Sequence, residues 1–281
     1  KDKIDVIISF RLTSNILNYL SSFFSKKRRV AVITGLGYSF TYNSFKNNLL
    51  KRFITLFYRL AEKKLTIVAQ NSHDLIDLGV KGGLVIAGSG IIEPNANFVH
   101  NKDYNKYNLL FVGRLLKSKG IIKAINVFKK LRSINKNFKL IIAGDIDFEN
   151  PDSITKENLE EIKSIEGIEF LSYVKDINKV YYKSNILLFP SIYREGIPRV
   201  IIESLSHGLT IVTQDMPGCR ETVTNNGVIL KNQFVDNAVD FINNLSEEDV
   251  VSNSIESKQL FKSKFSSKKI FPEYYKVIFK D

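Results

Sequence analysis

Short apolar runs rich in Val, Ile and Leu alternate along this chain with longer amphipathic stretches, and that alternation limits the fold more than any other feature. Strand-length runs stand at Asp5–Ser9, Arg29–Thr34, Leu65–Ala69 and Gly83–Ile86. Five more follow at Asn108–Val112, Lys139–Ala143, Ile168–Leu171, Ile186–Phe189 and Thr210–Thr213. Helical periodicity lies between them, at Asn15–Phe24, Asn43–Lys63, Ile121–Ile134, Asn158–Ile165, Asn178–Lys183, Arg199–His207 and Asp236–Leu245. Repeated strand–helix units predict an α/β fold whose parallel sheets are wound with helices on both faces. The strand runs carry little polar alternation, as expected of strands buried on both sides.

The chain has 281 residues, 44% of them hydrophobic, which is enough for two cores. The polar stretch at 93–106 reads as a linker. Residues 107–245 hold enough units for one complete Rossmann-like domain. Residues 1–92 show about four strands, where a doubly wound domain has around six, and are therefore expected to form a partial domain. Residues 246–281 carry no strand signal and are expected to be helical. No apolar run reaches the ~18 residues of a membrane span. The N-terminus mixes charges with apolar residues, unlike a signal peptide. It lacks an initiator Met, so the chain is expected to start inside a longer protein.

A single cysteine, Cys219, excludes a disulfide within the chain and argues against a cysteine zinc site. It points to a reducing, cytoplasmic compartment. The net charge of +12 suits phosphate-rich small molecules or an anionic membrane surface. Nucleic acid is disfavoured, because the basic residues are dispersed apart from the run Lys26, Lys27, Arg28, Arg29, and no nucleic-acid-binding signature is present.

The strongest chemical signal follows the run ending at Phe189: Arg194, Glu195, Gly196, Ile197, Pro198, Arg199, then Glu203. Pro198 suits the first turn of a helix, and Gly196 lets backbone pass close to a ligand. Free N–H groups at a helix start favour an anion. Carboxylates beside such a site can accept sugar hydroxyls. From spacing alone, Glu195 also reads as a first-turn charge and Glu203 as part of a solvated face. The second signal is Phe111–Ile121, where a strand ends at Gly113 and Arg114 and Lys119 flank a loop entering a helix. Cations at the C-terminal end of a parallel strand sit where such folds bind ligands, although two surface cations would look the same.

Together these segments resemble the C-terminal domain of family 4 glycosyltransferases, over roughly Asn108 to Leu230. The resemblance implies a GT-B fold of two Rossmann-like domains, the N-terminal one truncated here by two βα units, on the order of 60–90 residues. It implies that Arg114 and Lys119 meet the donor diphosphate, Glu195 the donor sugar and Glu203 the ribose. Gly113 belongs to the same donor-binding strand end. Gly196 and Ile197 match backbone donors to phosphate or sugar, and Val174, in Leu171–Ile177, lies near the base. In the first half, Ile33–Thr41, Ala69–Asp74 and Gly88–Ile91, with Pro217–Val223 later, resemble a branch that extends undecaprenyl-diphosphate-linked sugars in O-antigen, capsule or N-glycan assembly. Gly35, Gly37, Tyr38 and Asn71 are its acceptor-side positions here. Gly35 and Gly37 permit a tight turn, and Tyr38 offers an aromatic face with a hydroxyl.

Two departures stand out. The family's opening strand with its Gly-rich loop has no counterpart, and neither does its N-terminal histidine. His207 reads as packing at a helix end. Asp145, Ile146 and Asp147 imitate a DxD metal motif but follow a strand in an ordinary loop position, so no metal and no other cofactor is expected. The implied activity is retaining transfer of a hexose or N-acetylhexosamine from a UDP-sugar to an undecaprenyl-diphosphate-linked saccharide, with the protein held on the cytoplasmic face of an anionic membrane. The alternatives are a UDP-sugar 2-epimerase of the same shape and a non-catalytic remnant that binds UDP-sugar.

Overall fold

The computed structural model describes residues 4–94 and 103–279, so most of the expected linker, at 95–102, lies outside the described residues. Two compact units are present. The first comprises Lys1–Ile92, Tyr193–Pro198 and Lys264–Asp281, and the second Glu93–Ile192 and Arg199–Ser263. We call them the first and second lobes.

The first lobe contains β1 (Val6–Phe10), α1 (Arg11–Ser21), β2 (Arg28–Ile33), α2 (Tyr38–Thr41) and α3 (Phe45–Ala61), followed by β3 (Thr66–Ala69), α4 (Ser72–Leu78) and β4 (Leu84–Val85). Its four strands form one parallel sheet in the order β1-β2-β3-β4. Successive residues of β2 serve opposite faces, because side chains alternate along a strand. Ala31 and Ile33 enter a core with Ile54, Phe57 and Tyr58 of α3. Val30 and Val32 enter another with Val68, Ile86 and Ile270.

The second lobe runs through β5 (Asn108–Val112), α5 (Ile121–Ile134), β6 (Lys139–Ala143), α6 (Lys156–Lys163), β7 (Ile168–Leu171), α7 (Asn178–Lys183) and β8 (Ile186–Phe189). It continues through α8 (Arg199–Ser206), β9 (Thr210–Gln214), β10 (Gly227–Leu230), α9 (Phe234–Asn244) and α10 (Glu247–Leu260). Six parallel strands take the order β10-β9-β8-β5-β6-β7. Read from β7, this is the doubly wound order, and strand order reverses between β5 and β8. Leu109, Phe111, Phe128, Leu140, Ile142 and Leu188 fill the core on one face.

The C-terminal segment is helical but serves both lobes. Helix α10 stays with the second, and α11 (Ser267–Phe279) belongs to the first. Ile270 of α11 is buried with β2 and β3, and the backbone of Ile91 pairs with that of Ser266 just before α11. The six residues Tyr193–Pro198 also return to the first lobe.

Candidate functional site

The reversal between β5 and β8 puts two loops at the C-terminal edge of the second lobe's sheet, where parallel folds bind ligands. Gly113 follows β5 with φ +144°, and a Cβ there would meet no atom within 4 Å. Its carbonyl comes so close to Gly144, after β6, that a Cβ on Gly144 would lie 2.0 Å from that oxygen. Both glycines therefore shape an open floor in which backbone, not side chain, faces outward.

Arg114 is exposed, and its guanidinium bonds Asp147 Oδ2 at 2.7 Å. Asp145 accepts a hydrogen bond from Ser172. The two carboxylates of the DxD-like run thus hold neighbouring side chains. Lys119 stands immediately before Gly120, the left-handed N-cap of α5. A Cβ on Gly120 would strike Pro190, which follows β8, and the Lys119 ammonium lies 6.0 Å from the centre of the Phe189 ring. Lys119 is therefore fixed at the reversal point, and Arg114 on the β6 side of the same edge.

Glu203 lies on α8. Its Oε2 accepts from the Tyr181 hydroxyl at 2.9 Å and its Oε1 from Arg199 Nε at 2.7 Å. Burial, and then the Glu203 charge, push the Tyr181 phenol well above its usual range, so it remains a donor. A carboxylate offers about four lone-pair sites, which leaves acceptor capacity for a diol after both bonds are made. His207 stacks on Tyr181 with ring centres 5.0 Å apart and meets Tyr182 edge-on, the packing role read from the sequence. Val174 is half-buried in the loop after β7 and lines a broad hollow of about 890 Å³ with Phe170, Ser172 and Tyr173. Cys219 is buried.

Glu195, Gly196 and Ile197 are placed differently: their loop is built into the first lobe. Gly37 N–H donates to Arg194 O at 2.8 Å, and Gly196 N–H donates to Thr34 O at 3.0 Å. Ile197 N–H donates to Gln70 Oε1 at 3.0 Å. The two N–H groups matched to phosphate or sugar donors therefore have protein acceptors here. Asn71 caps α4, accepting from Asp74 N–H at 2.9 Å, and donates to Gly196 O at 3.3 Å. Gly35, at φ +123°, passes so close that a Cβ would lie 2.5 Å from Gly196 N. Tyr38 opens α2, half-exposed beside Tyr42.

The anchor of this loop is Arg194, a residue to which sequence reading gave no role of its own. It bonds buried Asp74 at 3.1 Å and Asp77 at 2.6 Å, and its N–H donates to Thr41 Oγ1 at 3.1 Å. Burial pushes the Asp74 carboxyl up to about 6, against the pull of Arg194. No short-range signal reveals this pair, because 120 residues separate its members.

Two parallel α/β lobes, the second doubly wound, give a fold of the GT-B class. The family model for glycosyl transferases group 1 matches residues 93–260, and the chain belongs to that family. It is 24% identical over 97% of its length to the capsular polysaccharide biosynthesis glycosyltransferase CapM of Staphylococcus aureus, covering 76% of that protein. It is 27% identical over 79% of its length to the N,N'-diacetylbacillosaminyl-diphospho-undecaprenol alpha-1,3-N-acetylgalactosaminyltransferase of Campylobacter jejuni, covering 62% of it. Of several other relatives it spans about half or less, for example 45% of MJ1059 of Methanocaldococcus jannaschii. In fold it is similar to Anabaena Alr3699/HepE, solved in complex with UDP, with a TM-score of 0.79 at 17% identity over 97% of this chain and 78% of that one.

Proposed function

We propose that this chain is the catalytic part of a retaining family 4 glycosyltransferase that moves a sugar from a UDP-sugar to a lipid-diphosphate-linked saccharide in surface polysaccharide or glycan assembly. The observation that carries the reading is the presence of Gly113, Arg114, Lys119 and Glu203 in one lobe, with Lys119 at its sheet reversal and Arg114 on the β6 side of the same edge. The identity with CapM and with the C. jejuni transferase supports the polysaccharide setting and a lipid-diphosphate acceptor.

In this reading, the open backbone floor at Gly113 and Gly144 admits the donor diphosphate. Lys119 and Arg114 stabilise the charge that builds on the leaving group, without a metal. Glu203 fixes the ribose through its remaining acceptor sites, and Glu195 orients the sugar. The acceptor hydroxyl attacks from the face that the diphosphate leaves, and the leaving phosphate takes its proton, so the anomeric configuration is kept. The +12 charge favours work at an anionic membrane, on its cytoplasmic face.

The test is to supply UDP-hexoses and UDP-N-acetylhexosamines with a lipid-diphosphate-linked acceptor, and to read the new linkage by nuclear magnetic resonance. Transfer with retention is expected. An inverted product overturns the mechanism. Conversion of donor without acceptor points to an epimerase, and UDP binding without any turnover points to a binding remnant.

A further inference from the structure

Glu195 stands in a loop whose backbone is fixed on both sides of it. Glu195 N–H donates to Tyr193 O at 2.9 Å and closes a three-residue turn with Arg194 at its centre. Before Glu195, Arg194 N–H donates to Thr41 Oγ1 at 3.1 Å, and Arg194 O accepts from Gly37 N–H at 2.8 Å. After it, Gly196 N–H donates to Thr34 O at 3.0 Å, and Gly196 O accepts from Asn71 Nδ2 at 3.3 Å. The peptide groups on either side of Glu195 are thus tied to the first lobe, and Glu195 is half-buried between them.

One side chain steers this turn. The Arg194 side chain is 12% exposed, and its Nη2 donates to Asp74 Oδ1 at 3.1 Å and to Asp77 Oδ2 at 2.6 Å. Both acids lie on α4 three residues apart, hence on one face of that helix. Asp74 is fully buried, and Asn71, which caps the same helix, is the donor to Gly196 O. Helix α4 therefore holds the loop at two points, one before Glu195 and one after it. Stability alone does not account for the pair. Desolvation offsets most of the attraction between buried charges. Arg194 Nε and Asp74 Oδ2 are also buried without a hydrogen-bond partner among the described residues. The surroundings oppose the guanidinium further, because Lys51, Arg52 and Arg59 of α3 line the same hollow as Arg194 and Asp77. Two carboxylates on one helix face keep the cation in place against these three.

We propose that Arg194, held by Asp74 and Asp77, is a positioning residue that sets the direction of the Glu195 carboxylate. The proposal rests on the reading in which Glu195 orients the donor sugar. Loss of the anchor frees the turn at Tyr193–Glu195 and moves the carboxylate off the sugar. The diphosphate and ribose contacts belong to the second lobe in that reading and stay as they are. A misplacement of about 1 Å can cost ~10²-fold in rate. Arg194 thus acts on turnover through Glu195 and leaves UDP affinity alone.

A double-mutant cycle tests it. Arg194→Gln with Asp74→Asn removes the ion pair without leaving a buried charge alone, and this neutral pair is combined with Glu195→Gln. Release of UDP is followed with UDP-glucose, UDP-galactose and their N-acetylhexosamine counterparts, each with a lipid-diphosphate-linked acceptor. UDP affinity is measured by calorimetry. On the wild-type background the neutral pair should lower kcat about tenfold or more. On Glu195→Gln it should cost less than about twofold, with UDP affinity within about twofold throughout. A loss of kcat that is equal on both backgrounds overturns the proposal and leaves Glu195 its role, as does wild-type turnover by the neutral pair. A fall in UDP affinity as large as the fall in kcat overturns it too, because the ion pair then serves the fold as a whole. Wild-type turnover in Glu195→Gln, or no turnover by the wild-type chain with any of these donors, sinks the reading of Glu195 and the proposal together.

Discussion

Helices α3 and α5 do the same topological work, each leading from a parallel strand to its neighbour, yet they meet solvent differently. Helix α5 buries Ile121, Ala124, Ile125, Val127, Phe128 and Leu131 and leaves only Ile122 and Ile134 exposed among its large apolar residues. Helix α3 buries four and exposes six. The requirements of folding account for all of α5 and for one side of α3. The second lobe leaves open backbone and a few charged side chains at the ends of its strands. The first lobe presents an extended outer surface and a loop clamped by buried polar contacts.

If that contrast carries into function, substitutions at the second lobe's strand ends change turnover and donor binding directly, and substitutions in the first lobe act through the fold of the loop or its surface. The largest effect should come from Lys119→Ala. Loss of one electrostatic donor costs about 10²–10³ in kcat, and UDP-sugar affinity should fall much less. Wild-type turnover would remove Lys119 from the mechanism and the reversal point from the comparison.

Gly35→Ala should come next, as a stability effect of about 2–3 kcal/mol. It combines a positive φ with a Cβ 2.5 Å from Gly196 N. Hydrogen exchange should show loss of protection confined to 28–37 and 193–198. Gly113→Ala, where a Cβ meets nothing, carries the backbone strain alone. Equal destabilisation by both would mean that the tight approach of Gly35 to the loop does not matter.

Glu203→Ala should weaken UDP affinity by roughly tenfold, about 1.4 kcal/mol, with a smaller change in kcat, because a ribose contact is alike in ground and transition states. Calorimetry with UDP separates this from the Lys119 effect. A kcat that falls as far as affinity would give Glu203 a role in the transition state.

Asp74 makes a smaller, pH-dependent contribution. Its folded carboxyl titrates near 6 and an unfolded one near 4. Between those values the folded state holds a proton that the unfolded state has released, so stability from this group is full below about pH 4 and declines as pH rises to 6. Asp74→Asn should flatten the decline of stability with pH in that window, read by thermal unfolding. A slope that persists would place the titration elsewhere. The smallest effect expected is none: EDTA should leave UDP affinity unchanged, and its loss would bring back Asp145 and Asp147 as metal ligands.

Much of the second lobe was legible because its strands are buried on both faces and its helices are ruled by local periodicity. Asn108–Val112, Lys139–Ala143, Ile168–Leu171, Ile186–Phe189 and helix Ile121–Ile134 stand at the residues read from sequence. Helix Ser72–Leu78 was not seen. It has seven residues, and its stability rests on the Asn71 cap and the left-handed Gly79 that ends it. Strand Gly227–Leu230 was missed as well, being a four-residue edge strand after Asn225 and Asn226. In the candidate site, the placement of Arg114 and Lys119 follows from the end of β5 and is readable, whereas Glu203, inside α8, was singled out through the family resemblance. Tyr181 as the partner of Glu203 is not, because the contact spans 22 residues and two elements. The exposed apolar side of α3 was hidden for another reason: a helix apolar on two sides shows no single face to count.

The loop Tyr193–Pro198 has a consequence for the exchange of parts between relatives. Its flanking residues belong to the second lobe, but Thr34, Thr41, Gln70, Asn71, Asp74 and Asp77 of the first lobe hold it. A second lobe transplanted as one stretch of sequence would carry this loop away from its anchors, leaving a buried aspartate without its arginine on one side and an unsupported turn on the other. A working chimera must therefore move six residues with the opposite half of the chain. The division of residues between the two units does not coincide with any single cut in the sequence.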